Sequence, residues 1–474
     1  MTNKKYISST LPYCNSTPHV GHCFEFVLAD IIGEYYRLKL GKENVFVNIG
    51  TDEHGTKILQ KSIEENFSNP QEYCDFVVTK WKEFCSILNI NYNNFYRTTD
   101  TKHKENVLKF YNEIKEHIYE KEYEGYYCVG CESFITKKEI VNGKCQIHHT
   151  ELVFTKETNK FFDLKKFAPY IKDVLIDKTI SPELSNLLND PYDVSITRQN
   201  VKWGIETGDG DVYYVWAEAL LNYVFAIKYY EDKEYFNSFW KNSLIICGKD
   251  NLRFQAEILQ ALLLSNNIPQ TKEVLIHGII LDEKGDKMSK SVGNVIDPIE
   301  QVKKYGLDAV RYYLFFGLNT FSDSKYSEAD LVKLWNNDIV NGLGNLISRS
   351  LHLIDIKKVE VSQEFVSATI KDKIVSDRNN IEKSFEEYNF SDVKSLLNNI
   401  VANCNKRITE EKPFDKNCTN YQQILNEIYF EVKNILPYYQ IILKAHSQDI
   451  SKSFVDNKKT ILFDRKEFPE GVAC

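Results

Sequence analysis

The stretch Lys5-Tyr6-Ile7-Ser8-Ser9-Thr10-Leu11-Pro12, followed by Pro18-His19-Val20-Gly21-His22, decides how the chain is read. Residues 5–10 read as a buried strand that Leu11-Pro12 closes. From His22 a helical pattern runs through Phe26, Ala29, Ile32 and Tyr36. It stops at Gly41, a residue suited to a helix C-cap. Residues 44–49 form a second, β-branched strand, and a helix follows from about Gly55. Strand, helix and strand in quick succession open a parallel α/β sheet.

Outward from there, residues 70–120 read as helices, with Pro70 at a start position. Residues 124–152 read as irregular, with cysteines and glycines. The α/β character returns in strands at 243–247 and 273–281, with helical 252–265 between them. A sheet split by so long an excursion implies an inserted domain. Asp297-Pro298 opens another helix, with Pro at the first helical position. From Tyr326 onward strand signals nearly vanish. Apolar spacing at Leu331, Ile339, Leu343 and Leu346, then over 370–381, 393–408 and 421–435, reads as a helix bundle.

The chain has 474 residues, 43% hydrophobic and 27% charged, which excludes a disordered or collagen-like protein. Its apolar runs are far shorter than the ~18–20 residues of a membrane span. No secretory h-region opens the sequence, so a cytoplasmic protein is expected. Eleven cysteines, odd in number and dispersed, argue against a secreted disulfide scaffold. A net charge of −8 excludes nucleic-acid binding by bulk electrostatics; any such partner is held by a local surface.

Three constellations carry chemistry. His19 and His22 stand at i, i+3 in a first helical turn, with Gly21 between them. A helix N-terminus offers N–H groups and a positive dipole end to phosphate. Lys287-Met288-Ser289-Lys290-Ser291 follows the turn Lys284-Gly285-Asp286. Its lysines and hydroxyls can neutralise developing polyphosphate charge. Cys128-x2-Cys131-x13-Cys145-x2-His148 has the spacing of a tetrahedral zinc knuckle, with His149 as an alternative fourth ligand. Four protein ligands leave no open position, so such a zinc is structural. Gly208-Asp209-Gly210 lacks the context of a dinucleotide fingerprint, and Gly342-Leu343-Gly344 reads as close helix packing. His103, His117 and His446 read as isolated surface or packing residues.

The first two constellations resemble the HIGH and KMSKS signatures of class I aminoacyl-tRNA synthetases. The likeness narrows to the methionyl-tRNA synthetase family through Leu11-Pro12-Tyr13-Cys14-Asn15, Thr51-Asp52-Glu53-His54-Gly55 and Ser195-Ile196-Thr197-Arg198. Tyr214-Val215-Trp216, Gly248-Lys249-Asp250, His277-Gly278 and Asn345-Leu346-Ile347-Ser348-Arg349 extend it. The resemblance implies a Rossmann-like α/β catalytic domain with an inserted zinc-knuckle connective domain, then an α-helical anticodon-binding domain. The expected boundaries are 1–115 and 196–270 for the two catalytic halves and 116–195 for the insertion, its knuckle at 125–150. Residues 271–325 are expected to hold the signature loop and stem-contact region, and 326–474 the anticodon domain. The implied activity is ATP-dependent formation of methionyl-adenylate and transfer of methionine to tRNA. One structural Zn2+ and Mg2+ with ATP are implied as cofactors.

The resemblance also implies roles. His19, Gly21, His22, Lys287, Ser289 and Lys290 would meet ATP phosphates, the histidines and lysines as catalytic groups. Gly248 and Asp250 would hold the adenylate ribose. Asp52 would pair with the ammonium of L-methionine, with Leu11, Tyr13, Trp216, Tyr223 and Gln255 around the side chain. Asn345, Arg349 and Phe414 would meet the anticodon.

Some positions depart from the family pattern. Gln255 and, one turn later, Leu259 stand where a histidine and an aromatic residue are frequent. The usual W-x-D-A reads Trp216-Ala217-Glu218-Ala219, and Phe414 replaces a frequent tryptophan. The chain stops soon after Leu462-Phe463-Asp464-Arg465, without the extension that makes some members dimeric, so a monomer is expected. Two other readings are a synthetase for another small amino acid and a catalytically inactive tRNA-binding relative. The knuckle's place in the insertion counts against a cysteine enzyme, and intact signature lysines and histidines count against an inactive relative.

Overall fold

The computed structural model describes residues 3–15, 17–128, 133–135, 140–146, 151–199, 201–288, 293–456 and 462–469. The chain forms two compact units, one of residues 1–18, 42–85 and 91–277, the other of 19–41, 86–90 and 278–474. Among the described residues, no helix is long and apolar enough to cross a membrane.

The first unit is built on strands β1 (Lys5–Ser9), β2 (Val45–Thr51) and β3 (Asn94–Arg97), with β4 (Ile118–Cys128) and β5 (Val153–Phe162) in the excursion. Strands β6 (Ser243–Gly248) and β7 (Glu273–His277) complete it. A five-stranded parallel sheet runs β7-β6-β1-β2-β3. Ile7 sits in register with Leu244 on one side and Val47 on the other. Every residue of β1 and β6 is buried. Both faces are covered, so neither strand alternates buried with exposed residues; β6 reads as a nearly continuous apolar run, whereas β1 also buries Lys5, Ser8 and Ser9. The chain leaves β1 toward β2 on one side and returns through β6 on the other. The carboxyl ends of such neighbouring strands flank the crevice where open α/β sheets bind ligands.

Two features differ from the sequence expectation. Residues 70–120 are not all helical: β3 forms the sheet edge between helices Pro70–Ile87 and Thr101–Glu113. Its residues are half-buried and held by polar contacts, such as Asn94 Nδ2 donating to Asn48 Oδ1 at 2.9 Å. The stretch 124–152, expected to be irregular, is flanked by a long antiparallel ribbon in which β4 pairs with β5 from Ile118↔Phe162 to Tyr127↔Val153, and β4 carries regular strand into its first residues, as far as Cys128. Charged residues alternate along it and pair across it, as Lys156 does with Glu122 at 2.7 Å. Such cross-strand pairs stabilise the exposed part of the ribbon, while Glu157, Asn159, Phe161 and Phe162 of β5 are buried.

The second unit is helical. Its elements include α1 (Val20–Leu40), α2 (Leu307–Phe316), α3 (Asn345–Lys357), α4 (Ala368–Glu386), α5 (Phe390–Glu410) and α6 (Tyr421–Gln440). Leu331, Ile339, Leu343 and Leu346 are all fully buried, as their spacing demands. The helix they lie on is not uniformly α: Trp335–Gly344 winds as a wider π-helix into α3. Gly344 sits where a Cβ would come 2.8 Å from the Phe463 ring, so its glycine serves packing.

A buried ion cluster holds α1 in place. Asp30 and Arg311 have no solvent exposure and pair at 2.7 Å. Arg311 also donates to the carbonyls of Leu88, Ile441 and Ile442, and Lys444 reaches the other Asp30 oxygen at 2.7 Å. Further along α1, the Tyr35 ring stacks on Phe385 at 4.5 Å, and Lys39 pairs with Glu382 and Glu386. Replacing Arg311 by Leu takes from the buried Asp30 its fully buried cationic partner. The expected cost is about 3 kcal/mol, since breaking a buried pair strands a charge. Chemical denaturation of Arg311→Leu checks this, and Asp30→Leu/Arg311→Leu should recover part of the loss.

Candidate functional site

In the first unit, pairing continues past the ends of β1 and β2. Cys14 N donates to Asp52 O at 2.8 Å, and Asp52 N donates to Pro12 O at 2.9 Å. This brings Leu11 and Asp52 to one small open cleft. Trp216, Tyr223 and Gln255 line it as well, so five expected residues converge there. Gln255 Nε2 donates to Tyr223 Oη at 2.9 Å. Tyr13 does not line this cleft; it packs half-buried against the core, with Lys57 Nζ 5.8 Å from its ring. Phe254, which sequence reasoning passed over, also lines it and stacks on Trp216 at 4.8 Å. Leu259 is fully buried in the core.

The Thr51-Asp52-Glu53-His54 segment sends neighbouring side chains different ways. Glu53 is fully buried, its oxygens accepting from Thr51, Thr99 and the Arg97 guanidinium. His54 Nδ1 lies 2.7 Å from Glu218 Oε1. The other Glu218 oxygen lies 2.6 Å from His103 Nε2, and His103 Nδ1 lies 2.8 Å from Tyr96 Oη. His103 is therefore no isolated histidine. Burial works against the Glu218 carboxylate, but the charges and hydrogen bonds of His54 and His103 outweigh it and hold its pKa below the usual value. Burial, with Glu218 nearby, pushes the Tyr96 phenol well up, so it stays protonated beside His103. The signal for this network was a histidine in each of two separate helical or turn segments, with no periodicity to connect them.

Beyond β6, Gly248 leads into the turn Lys249–Asn251, where Asp250 is exposed. Its Oδ1 accepts from Asn251 Nδ2 at 3.5 Å.

In the second unit, His19 is the N-cap of α1. Its Nδ1 accepts from Gly21 N at 3.1 Å, and His22 Nδ1 accepts from His19 N at 3.3 Å. The rings stack 3.8 Å apart. With Nδ1 an acceptor in each, the neutral ring carries its proton on Nε2, which can donate to an anion. A Cβ on Gly21 would lie 2.9 Å from His19 Cε1, so glycine here makes room for the capping ring. Val20 N donates to Ile296 O at 3.2 Å, tying the helix start to the segment after the lysine loop. At the base of that loop, Asp282 accepts from Gly285 N, Asp286 N and Asn294 Nδ2. These hydrogen bonds hold its pKa below the ordinary carboxylate range. Lys287 is exposed; Ser289 and Lys290 lie outside the described residues.

Asn345 and Arg349 share one face of α3, and both donate to Asn405 Oδ1, at 3.5 and 3.3 Å. Arg349 also reaches Thr409 Oγ1 at 3.4 Å, and Phe414 is 50% exposed. Of the expected zinc ligands, Cys128 and Cys145 are fully buried in one small cluster with Ile140 and Leu152. Cys131, His148 and the alternative His149 lie outside the described residues, and among those described no group of three or more ligating side chains forms. His117 packs its ring on Phe167 at 4.9 Å, and His446 pairs with Asp308 at 2.6 Å, so both have local structural partners.

The family described as tRNA synthetases class I (M) matches residues 5–151 and 135–351. Methionine--tRNA ligase of Fusobacterium nucleatum is 34% identical over 87% of this chain and 68% of its own length. The chloroplastic/mitochondrial methionine--tRNA ligase of Arabidopsis thaliana is 38% identical over 80% of this chain and 64% of its own. The chain thus spans about two thirds of these relatives' length. A solved structure of Mycobacterium tuberculosis methionyl-tRNA synthetase in complex with methionyl-adenylate superposes with a TM-score of 0.85. It covers 99% of both chains at 25% identity.

The capping geometry is testable directly. In 15N-histidine spectra His19 and His22 should both be Nε2-protonated tautomers. Gly21→Ala should displace the His19 ring, mix its tautomers and lower stability by about 1 kcal/mol, the usual worth of an N-cap.

Proposed function

The chain belongs to the class I methionyl-tRNA synthetase family, and from that premise we propose that it is a methionine–tRNA ligase. It activates L-methionine with ATP to methionyl-adenylate and transfers methionine to the terminal ribose of its tRNA. The observation that carries this reading is the cleft itself. A buried carboxylate, Asp52, stands in one small space with a stacked Trp216–Phe254 pair and the Tyr223–Gln255 polar couple. An α-ammonium suits the carboxylate, and a polarizable thioether suits the aromatic walls. Leu11 adds an apolar contact, and Tyr13 is assigned to the wall behind it.

Neither step needs a protein nucleophile. The methionine carboxylate attacks the α-phosphate in line and pyrophosphate leaves; the tRNA 2′-hydroxyl then attacks the carbonyl of the adenylate, the acyl–phosphate bond breaks, and AMP leaves with the hydroxyl proton taken up by its phosphate or by solvent. The protein contributes positioning and charge stabilisation. His19 and His22 donate from Nε2 to phosphate oxygens, and the start of α1 beside Gly21 adds its dipole. Lys287, Ser289 and Lys290 stabilise charge on the leaving pyrophosphate. Asp250, with Gly248 behind it, accepts from the adenylate ribose. Mg2+ accompanies ATP and offsets phosphate charge. The Asn345–Arg349 pair and the exposed Phe414 meet the anticodon, Arg349 and Asn345 at base edges and Phe414 by stacking.

Zinc fits the insertion. Cys128 and Cys145 already share a buried cluster, the environment of a closed thiolate site. Cys131 and His148 complete four ligands in this reading. Zinc supplies a cross-link there, and the insertion's chemistry ends with that.

ATP–pyrophosphate exchange with a panel of amino acids tests the activity. Methionine should support exchange best; preference for any other proteinogenic amino acid overturns the assignment. In the same assays Arg349→Ala should cut tRNA charging about tenfold while exchange stays within about twofold, because it touches no reacting atom in activation. For the knuckle, metal analysis should find one zinc per chain, and Cys128→Ser should lower that content. A metal-free wild type, fully active in chelator, contradicts the site.

A further inference from the structure

The methionine cleft has two walls from separate stretches of chain. One is the end of β2, with Asp52. The other is the short helix Val215–Ala219 and its following turn, with Trp216, Ala219 and Leu220. Two residues past Asp52 stands His54, and two residues past Trp216 stands Glu218. Their side chains meet behind the cleft, His54 Nδ1 lying 2.7 Å from Glu218 Oε1, with exposures of 1% and 0%. Neither residue lines the cleft.

Both ends of this link are held. Glu218's second oxygen accepts from His103 Nε2 at 2.6 Å, and Tyr96 Oη and His103 Nδ1 are hydrogen-bonded at 2.8 Å. Tyr111 Oη donates to the Ala217 carbonyl at 3.1 Å, fixing the helix on which Glu218 stands. His54 Nε2 is buried with no hydrogen-bond partner among the described residues, so the ring's polar anchor is Glu218. Buried hydrogen bonds to an ionised carboxylate are short and strong. The link therefore behaves as a strut of fixed length between the walls.

We propose that Glu218 is a positioning residue for methionine: through His54 it sets the separation of the Asp52 carboxylate from the Trp216 ring. The role rests on the reading of the cleft as the methionine site. An amino acid must touch both walls at once, its ammonium on one and its side chain on the other. A shift of one wall by about 1 Å spoils that double contact. ATP touches neither wall residue in this reading, so its binding is indifferent to the strut.

Exchange kinetics with the purified full chain separate these terms. Glu218→Ala and His54→Leu should each raise the KM for methionine about tenfold and lower the methionine-to-norleucine preference, with the ATP KM within about twofold. His54→Asn, whose amide N–H replaces the Nδ1 donor, should keep the methionine KM within about threefold of wild type. The double variant Glu218→Ala/His54→Leu should be no worse than either single one, as for two ends of one link. Folded variants with an unchanged methionine KM overturn the role. So do equal rises for methionine and ATP, or a His54→Asn as impaired as His54→Leu. If Glu218→Ala does not fold, the two His54 variants decide alone. Asp52→Asn is measured beside them: an unchanged methionine KM there overturns the reading of the cleft itself. A raised one together with silent His54 and Glu218 variants overturns only the strut.

Discussion

Glu53 has no access to solvent, and its two carboxylate oxygens accept from Thr51 Oγ1, Thr99 Oγ1 and both Arg97 Nε and Nη2. A buried carboxylate is costly unless it is paired and hydrogen-bonded. Here the pairing partner sits on β3, so satisfying Glu53 sews the edge strand to the end of β2. The backbone of the same residue is used as well. Its N–H donates to Thr98 Oγ1 at 2.9 Å, and its carbonyl accepts from Trp203 Nε1 at 2.6 Å. With Glu53 fixed so completely, its neighbours have little freedom. Successive residues of an extended segment face opposite ways. Asp52 is thereby committed to the cleft, and His54 is delivered to Glu218.

The second unit solves a similar problem with α1. The helix begins in a reciprocal cap made by His19 and His22 and is pinned at its middle by Asp30, Arg311 and Lys444. Beyond that, Tyr35 and Lys39 fasten it to α4. Burial, together with the Arg311 charge, pushes the Lys444 pKa down despite Asp30 and Glu34. Moving α1 along its axis would break buried charge pairs, so the imidazoles at its start keep a fixed frame. Donors placed in advance cost no reorganisation when charge develops.

What could be read in the sequence follows from how each element is stabilised. Strands β2, β6 and β7 and helices α5 and α6 are held by apolar burial, which leaves a trace: a short apolar run in a strand covered on both faces, a periodic stripe along a helix. Edge strand β3 is held by Asn94, Tyr96 and Arg97 side-chain contacts, and ribbon β4–β5 by charges paired across it. Neither leaves such a trace. At the sites, residue types and spacing pointed to His19 and His22, and the family resemblance to Asp52, Trp216 and Gln255, without revealing their local work. The capping exchange needs the backbone of α1 to be seen. The His54–Glu218–His103 network joins residues 164 and 115 positions apart, which no local pattern can relate.

The altered pair Gln255 and Leu259 shows the same limit through helix geometry. Counting one turn from Gln255 to Leu259 assumes an α-helix. Here Phe254–Ile258 is a π turn, and Leu259 N bonds back to Phe254 O. A π turn spends one more residue per turn than the α count allows. The contact one turn on from Gln255 is accordingly Gln260, whose Nε2 donates to the Gln255 carbonyl at 2.8 Å. Leu259 is rotated into the core, and the aromatic wall at the cleft comes from Phe254 on the preceding side. The stacked Trp216–Phe254 pair thus supplies an aromatic wall at the cleft, which Leu259 does not line. Gln255, held by Tyr223, keeps a polar contact at the cleft without an ionisable ring. Shape and aromatic contact at this cleft are therefore set by the π turn that presents Phe254, more than by the identity of the side chain at 259.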